Sequence, residues 1–167
     1  LYRRVHQAVS VDYLTCHIWP KNWSWIDIQD IPGSVERASK LAEGYLAEHI
    51  SLAVELNKPI VLSEFGYPRD NHRYDREDPV IARNAFYSSI FNQLAASAQS
   101  SGNFAGCNIW AWGGFARPQH IFWEPGDDYC GDPAQEEQGL NSVFAEDDTV
   151  PIIHSFTTLL NNKQITE

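Results

Sequence analysis

Glu64 lies in the run Val61-Leu62-Ser63-Glu64-Phe65-Gly66, where an ionised carboxylate is costly unless it is paired or put to use. A carboxylate at the carboxyl end of such a strand is placed for catalysis. It can equally cap a neighbouring helix or pair with Arg69, and the local sequence leaves both readings open. His17 and Trp19 are spaced so that an extended strand turns both to one face, and a His beside a carboxylate can orient it and tune its ionisation. The alternative is a His satisfied by a backbone carbonyl and a Trp packed in the core. Trp110 and Trp112 repeat the spacing just before Gly113-Gly114, where the chain can turn sharply. Indole faces stack on the apolar C–H face of a pyranose ring, and the chain turns polar at once after Trp112. That favours a binding role for Trp110 and leaves Trp112 between platform and wall.

Phe115, Arg117, His120, Trp123, Asp127, Asp128 and Tyr129 populate a long loop whose residues could line a groove; singly, each reads as a solvated or loop-packing residue. Asp127-Asp128 with Asp132 lacks the spacing of a calcium loop, so no metal is expected. Asn22-Trp23-Ser24 is a glycosylation sequon, too common a pattern to use.

Three short apolar runs must carry these side chains: Tyr13 to Trp19, Ile60 to Gly66 and Phe104 to Trp112. Between them the spacing predicts helices. One starts at Ser34 as N-cap and runs to Asn57-Lys58-Pro59, with Ala38, Leu41, Ala42, Tyr45, Leu46, Ile50, Ala53 and Val54 on its apolar face. Another spans Pro79 to about Ala98, with Ile81, Ala82, Ala85, Phe86, Ile90, Phe91 and Leu94 inward, and a last one lies near Thr149 to Leu160. Apolar strands alternating with amphipathic helices imply a parallel sheet buried on both faces. The loop from Gly113 to Gly139 is too long for a plain connection and has a functional composition.

The 167 residues suit one unit with a single core. A net charge of −10 excludes nucleic acid and anionic membranes as favoured partners, and no apolar run approaches the ~20 residues of a bilayer span. Cys16, Cys107 and Cys130 have no metal or disulfide spacing; the first two read as buried thiols, while Cys130 in its polar loop is the candidate for pairing.

The strings Thr15-Cys16-His17-Ile18-Trp19-Pro20, Leu62-Ser63-Glu64-Phe65-Gly66 and Asn108-Ile109-Trp110-Ala111-Trp112-Gly113 resemble, in this order, the last three barrel strands of family 5 glycoside hydrolases, particularly the endo-β-1,4-mannanases. The resemblance implies the C-terminal portion of a TIM (β/α)8 barrel, about three βα units corresponding to strands 6–8, with residues 1–167 forming part of one catalytic domain. It implies that Glu64 is the nucleophile, His17 a contact of the catalytic carboxylates and Trp110 the indole under the sugar at the cleavage subsite; Trp19, and from their positions at the strand end and in the loop Trp112, Trp123 and Arg117, are further expected substrate contacts. Trp19 stands where the family often carries a tyrosine, and an indole N–H donates but never accepts. The implied activity is retaining internal cleavage of β-1,4-mannan, glucomannan or galactomannan. A β-1,4-glucanase is the alternative of the same chemistry, and a non-catalytic carbohydrate-binding protein using Trp110, Trp112 and Trp123 is the alternative of another kind. No cofactor is implied, and a secreted, periplasmic or cell-surface location is expected.

One part of the pattern is absent. Retaining hydrolysis needs two carboxyl groups about 5 Å apart, and the family's acid/base Glu follows an Asn, a pair this sequence does not contain. The acid/base and the N-terminal half of the barrel are therefore expected outside this chain, which alone is expected to be inactive.

Overall fold

In the computed structural model, residues 1–71, 75 and 77–164 are described. The order is α1 (Tyr2–His6), β1 (Leu14–Ile18), α2 (Ile31–Glu55), β2 (Ile60–Phe65), α3 (Ile81–Gln99), β3 (Phe104–Ile109), β4 (Trp112–Gly114), β5 (Val143–Phe144) and α4 (Thr149–Gln164). β1, β2 and β3 form a parallel sheet in that order, and β4 and β5 form a separate two-stranded parallel ribbon. The alternation of strand and helix thus produces the expected α/β architecture, while the short α1 and the β4–β5 ribbon carry too little periodicity to announce themselves.

Burial on both sheet faces does not hold. Leu14, Cys16, Ile18, Ile60 and Leu62 are buried in one cluster with Ala38, Ala42 and Leu46 of α2 and Phe86, Ile90 and Phe91 of α3. Thr15, Val61 and Ser63 are only partly covered and His17 is exposed, so the opposite face is half open. β1 therefore shows the inside/outside alternation of a sheet covered on one side.

That alternation is broken once in β2, where it matters. β1 and β2 pair Cys16 with Leu62 and then His17 with Glu64, so one extra residue is inserted on β2. The burial pattern registers the same bulge as two consecutive half-buried residues, Ser63 and Glu64. With strict alternation Glu64 would share the buried face of Ile60 and Leu62; the inserted residue turns it to the open face beside His17.

α2 begins earlier than expected. Asp30, not Ser34, is its N-cap: the Asp30 carboxylate accepts from Gly33 N–H at 2.9 Å, and Pro32 lies in the first turn, where no N–H is needed. Ser34 instead donates to Asp30 O and accepts from Asp27 N–H. The helix ends where Asn57 adopts φ 52° before Pro59. Leu41 and Val54, expected inward, are exposed.

In α3 the inward face is rotated from the expected one: Ile81 and Ala85 face outward, and Arg83 and Tyr87 are buried in their place. Its first turn is capped from a distance, by Asp70 accepting from Ile81 N–H (3.0 Å) and Ala82 N–H (2.9 Å).

Two arginines lie wholly inside. Arg69 donates twice to Asp147 (2.9 and 2.8 Å), and Arg83 reaches the carbonyls of Tyr67, Leu140 and Ser142 with its own approach of 3.6 Å to Asp147. Asp147 also accepts from Phe144 N–H at 2.9 Å, so β5, α3 and the segment after β2 meet at one carboxylate. Arg69 is thus engaged with Asp147 rather than with Glu64. All three cysteines are free, and Cys130 is buried rather than paired. No described helix is long and apolar enough to cross a membrane.

Removing the carboxylate takes the counter-charge from two buried guanidinium groups. Asp147→Ala is expected to destabilise the full-length protein by about 3–5 kcal/mol, with Asp147→Asn costing less, as measured by urea unfolding.

Candidate active site

β1 and β2 deliver His17 and Glu64 side by side, and the chain beyond β1 supplies Trp19. His17 Nδ1 lies 3.0 Å from Glu64 Oε2, and Trp19 Nε1–H donates to the same oxygen at 3.1 Å. An oxygen of an ionised carboxylate only accepts, so in the ionised pair His17 carries its proton on Nδ1. The Glu64 side chain is 28% exposed, open enough to meet a ligand and covered enough to be fixed.

Gly66 permits this packing. A methyl group there would stand 2.7 Å from Trp19 Cζ3 and 3.0 Å from Trp110 O, so a larger residue would push the indole from its seat. Trp110 packs edge-on against Trp19, with ring centroids 5.9 Å apart and planes at 76°. The Trp110 backbone N–H donates to Phe65 O at 2.7 Å. Burial pushes the Tyr87 hydroxyl up to about 12, so that it stays protonated, and it donates to Trp110 O at 3.5 Å. Trp110 is therefore held from the sheet and from α3 at once.

Glu64, Trp19 and Trp110 line a cleft of about 230 Å³ with Asn22, Pro133 and Glu136. A second recess of about 360 Å³ shares Asn22 and Glu136 and adds Lys21, Phe122, Gln135 and Asn141, among others. Lys21 and Glu137 approach to 3.7 Å, linking the segment after β1 to the long loop.

The remaining expected contacts lie elsewhere. Trp112 belongs to β4, in a different sheet from β3, and is 56% exposed outside the wall of this cleft; strand alternation does not carry across Trp110-Ala111. Arg117 is spent on an ion pair with Glu146 (2.7 Å), and its N–H donates to Asp128. Trp123 Nε1–H donates to Asp127 O at 3.2 Å, and His120 Nδ1 sits 3.0 Å from Asp127. That hydrogen bond pulls the exposed His120 up and holds the Asp127 carboxyl down. These residues fold the loop on itself and do not line the Glu64 cleft.

Asn22, Pro133 and Glu136 were not legible as site residues. The length and polarity of the loop signalled its use, but no local pattern distinguishes Glu136 from its neighbours Glu137 and Gln135.

The sequence profile described as GH family 5 beta-mannosidase-like matches residues 1–165. A solved glycoside hydrolase family 5 mannosidase from Rhizomucor miehei superposes with a TM-score of 0.90 at 33% identity, over 99% of this chain and 41% of that one. The endo-β-1,4-mannanase from Thermotoga petrophila, at 20% identity and a TM-score of 0.58 over 96% of this chain and 28% of that one, shares the fold. A rice protein named putative mannan endo-1,4-beta-mannosidase 9 is 29% identical over 103 residues, 60% of this chain and 23% of the relative. The chain thus spans about a quarter of that relative and two fifths of the Rhizomucor protein. With a family profile matched from end to end and a parallel sheet that superposes on a solved member, the chain belongs to the family 5 β-mannosidase-like glycoside hydrolases.

Proposed function

We propose that this chain supplies the nucleophile side of a retaining glycoside hydrolase that cleaves β-1,4-mannan internally. In this reading residues 1–167 are the last three βα units, strands 6–8, of a TIM barrel, and the half-open sheet face turns to the barrel interior. The observation that carries it is the double hold on Glu64: two donors on one carboxylate oxygen, beside an indole, in a cleft.

With Oε2 fixed by His17 and Trp19, Oε1 is the oxygen that attacks the anomeric carbon. A new C–O bond forms to Glu64 as the glycosidic C–O bond breaks, and a proton passes to the leaving oxygen from an acid/base Glu outside this chain. Water then displaces Glu64 with help from the same acid/base residue. The two N–H donors orient the carboxylate and stabilise the charge that returns to it when the glycosyl group leaves. Trp110 offers its face to the sugar at the bond being cut. No cofactor enters, and a polymer too large to cross a membrane places the enzyme outside the cell, in the periplasm or at its surface.

Glu64→Ala in the full-length protein is expected to lower kcat on mannan by at least ~10³-fold with the fold intact. Added azide should then restore turnover by occupying the vacated space and give an α-glycosyl azide. Wild-type hydrolysis by this variant, or sugar binding without any turnover by the native protein, overturns the reading. Products of several lengths from mannan mark internal cleavage, mannose alone marks release from a chain end, and faster turnover of cellulose marks a glucanase.

Trp19→Phe keeps the ring and removes the donor to Glu64. It is expected to lower kcat by roughly 10- to 100-fold, the range of a hydrogen bond to a charged group, with a smaller change in KM. An unchanged kcat would mean that the indole N–H does not act on Glu64.

A further inference from the structure

The loop wall of the Glu64 cleft has a small interior of its own. Pro133 and Glu136 line the cleft, and behind them Gln138 is 1% exposed and Asp132 0%. Gln138 Nε2 lies 3.2 Å from Asp132 O, 2.8 Å from Pro133 O and 3.0 Å from Glu136 O. Its Oε1 accepts from Cys130 Sγ at 3.4 Å. The two N–H groups of one side-chain amide are thus shared among three carbonyls of a turn, of which Pro133 O also accepts from Glu136 backbone N–H at 2.9 Å.

Asp132 ties the ends of that turn. Its Oδ2 accepts from Gly139 N–H at 2.9 Å and lies 2.5 Å from Ser142 Oγ. Ser142 Oγ is also 2.7 Å from Cys130 O. A hydroxyl has one proton, which cannot serve a carboxylate and a carbonyl together. A protonated Asp132 resolves the count, donating to Ser142 Oγ while Ser142 donates to the Cys130 carbonyl. Burial pushes the Asp132 carboxyl up, against the Ser142 and Gly139 bonds and the positive charge of Arg83. Its Oδ1 is buried without a hydrogen-bond partner, which is tolerable for a neutral acid and costly for an anion.

We infer that Asp132 and Gln138 are positioning residues for the sugar cleft, acting through Glu136, which they hold in its wall. Neither lines the cleft, so their effect on a sugar passes through the residues they carry. The inference rests on the reading of the cleft as a sugar site and adds to it the groups that set sugar affinity on the loop side.

The test is a double-mutant cycle on the full-length enzyme, reading KM and kcat on a short β-1,4-mannooligosaccharide. Glu136→Ala and Gln138→Met are each expected to raise KM roughly 10-fold with kcat within about threefold, and the double variant to stay near 10-fold. A double variant near 100-fold, a wild-type KM for Gln138→Met, or a collapse of kcat in Glu136→Ala overturns the inference. Asp132→Ala should match Gln138→Met, and a wild-type KM for Asp132→Ala overturns the role given to Asp132. Where Gln138→Met does not fold, Ser142→Ala takes its place in the cycle with the same expectations. Turnover by Glu64→Ala brings down the sugar reading itself, whereas failure of the clasp leaves Glu64→Ala inactive.

Discussion

A single inserted residue in β2 decides which face of the sheet receives Glu64. Parallel pairing with β1 sets the frame, and the bulge between Leu62 and Phe65 shifts it, so that His17 opposes Glu64 instead of Ser63. Without it the carboxylate would enter the cluster formed by Leu62, Phe65 and Phe86, where an unpaired charge costs several kcal/mol. With it, the carboxylate meets two N–H donors on a partly open surface. The bulge breaks the regularity of the ladder at the one place where it re-aims a carboxylate from the core to the cleft.

The rest of the architecture keeps that face steady. Gly66 lets Trp19 lie close over the strand, and Trp110 is tied to Phe65 on one side and to Tyr87 on the other. Further back, Arg69, Arg83 and Asp147 join the segment after β2 to α3 and β5 through charged hydrogen bonds that are wholly buried. Such a network adds little net stability over an apolar core of the same volume. It does penalise any arrangement in which one partner is missing, and so selects a unique one.

The apolar runs and helical spacing made the βαβαβ order legible, because those periodicities are local. Glu64, His17, Trp19 and Trp110 were legible as a group because each sits at a strand end, where the side chain's role is confined to a few possibilities. The face Glu64 occupies was not, since a bulge is a relation between two strands and leaves no mark in either one. The same holds for Asp30 replacing Ser34 as the cap, where two adequate cap residues compete and the entry path of the chain decides. Arg83 inside α3 was hidden by the assumption that charge faces outward; its partners are carbonyls of Tyr67, Leu140 and Ser142, distant in sequence. In the long loop, composition set the segment apart but did not mark which residues face the cleft. Arg117 and Trp123 looked fit for a ligand, and the structure engages them with Glu146 and with the carbonyl of Asp127.

The two sides of the cleft are therefore built on different principles. Glu64 and His17 rise from paired strands, with Trp19 and Trp110 just beyond strand ends, so their positions are fixed by a ladder of backbone hydrogen bonds shared with the core. Glu136 and Pro133 stand on a turn whose backbone is satisfied mostly by side chains, Gln138 and Asp132 above all. A ladder tolerates substitution of its side chains, because the backbone does the work; a turn held by two side chains does not. A wall fixed by backbone ladders on the sheet side and one fixed by side chains on the loop side is the division that this placement of hydrogen bonds imposes.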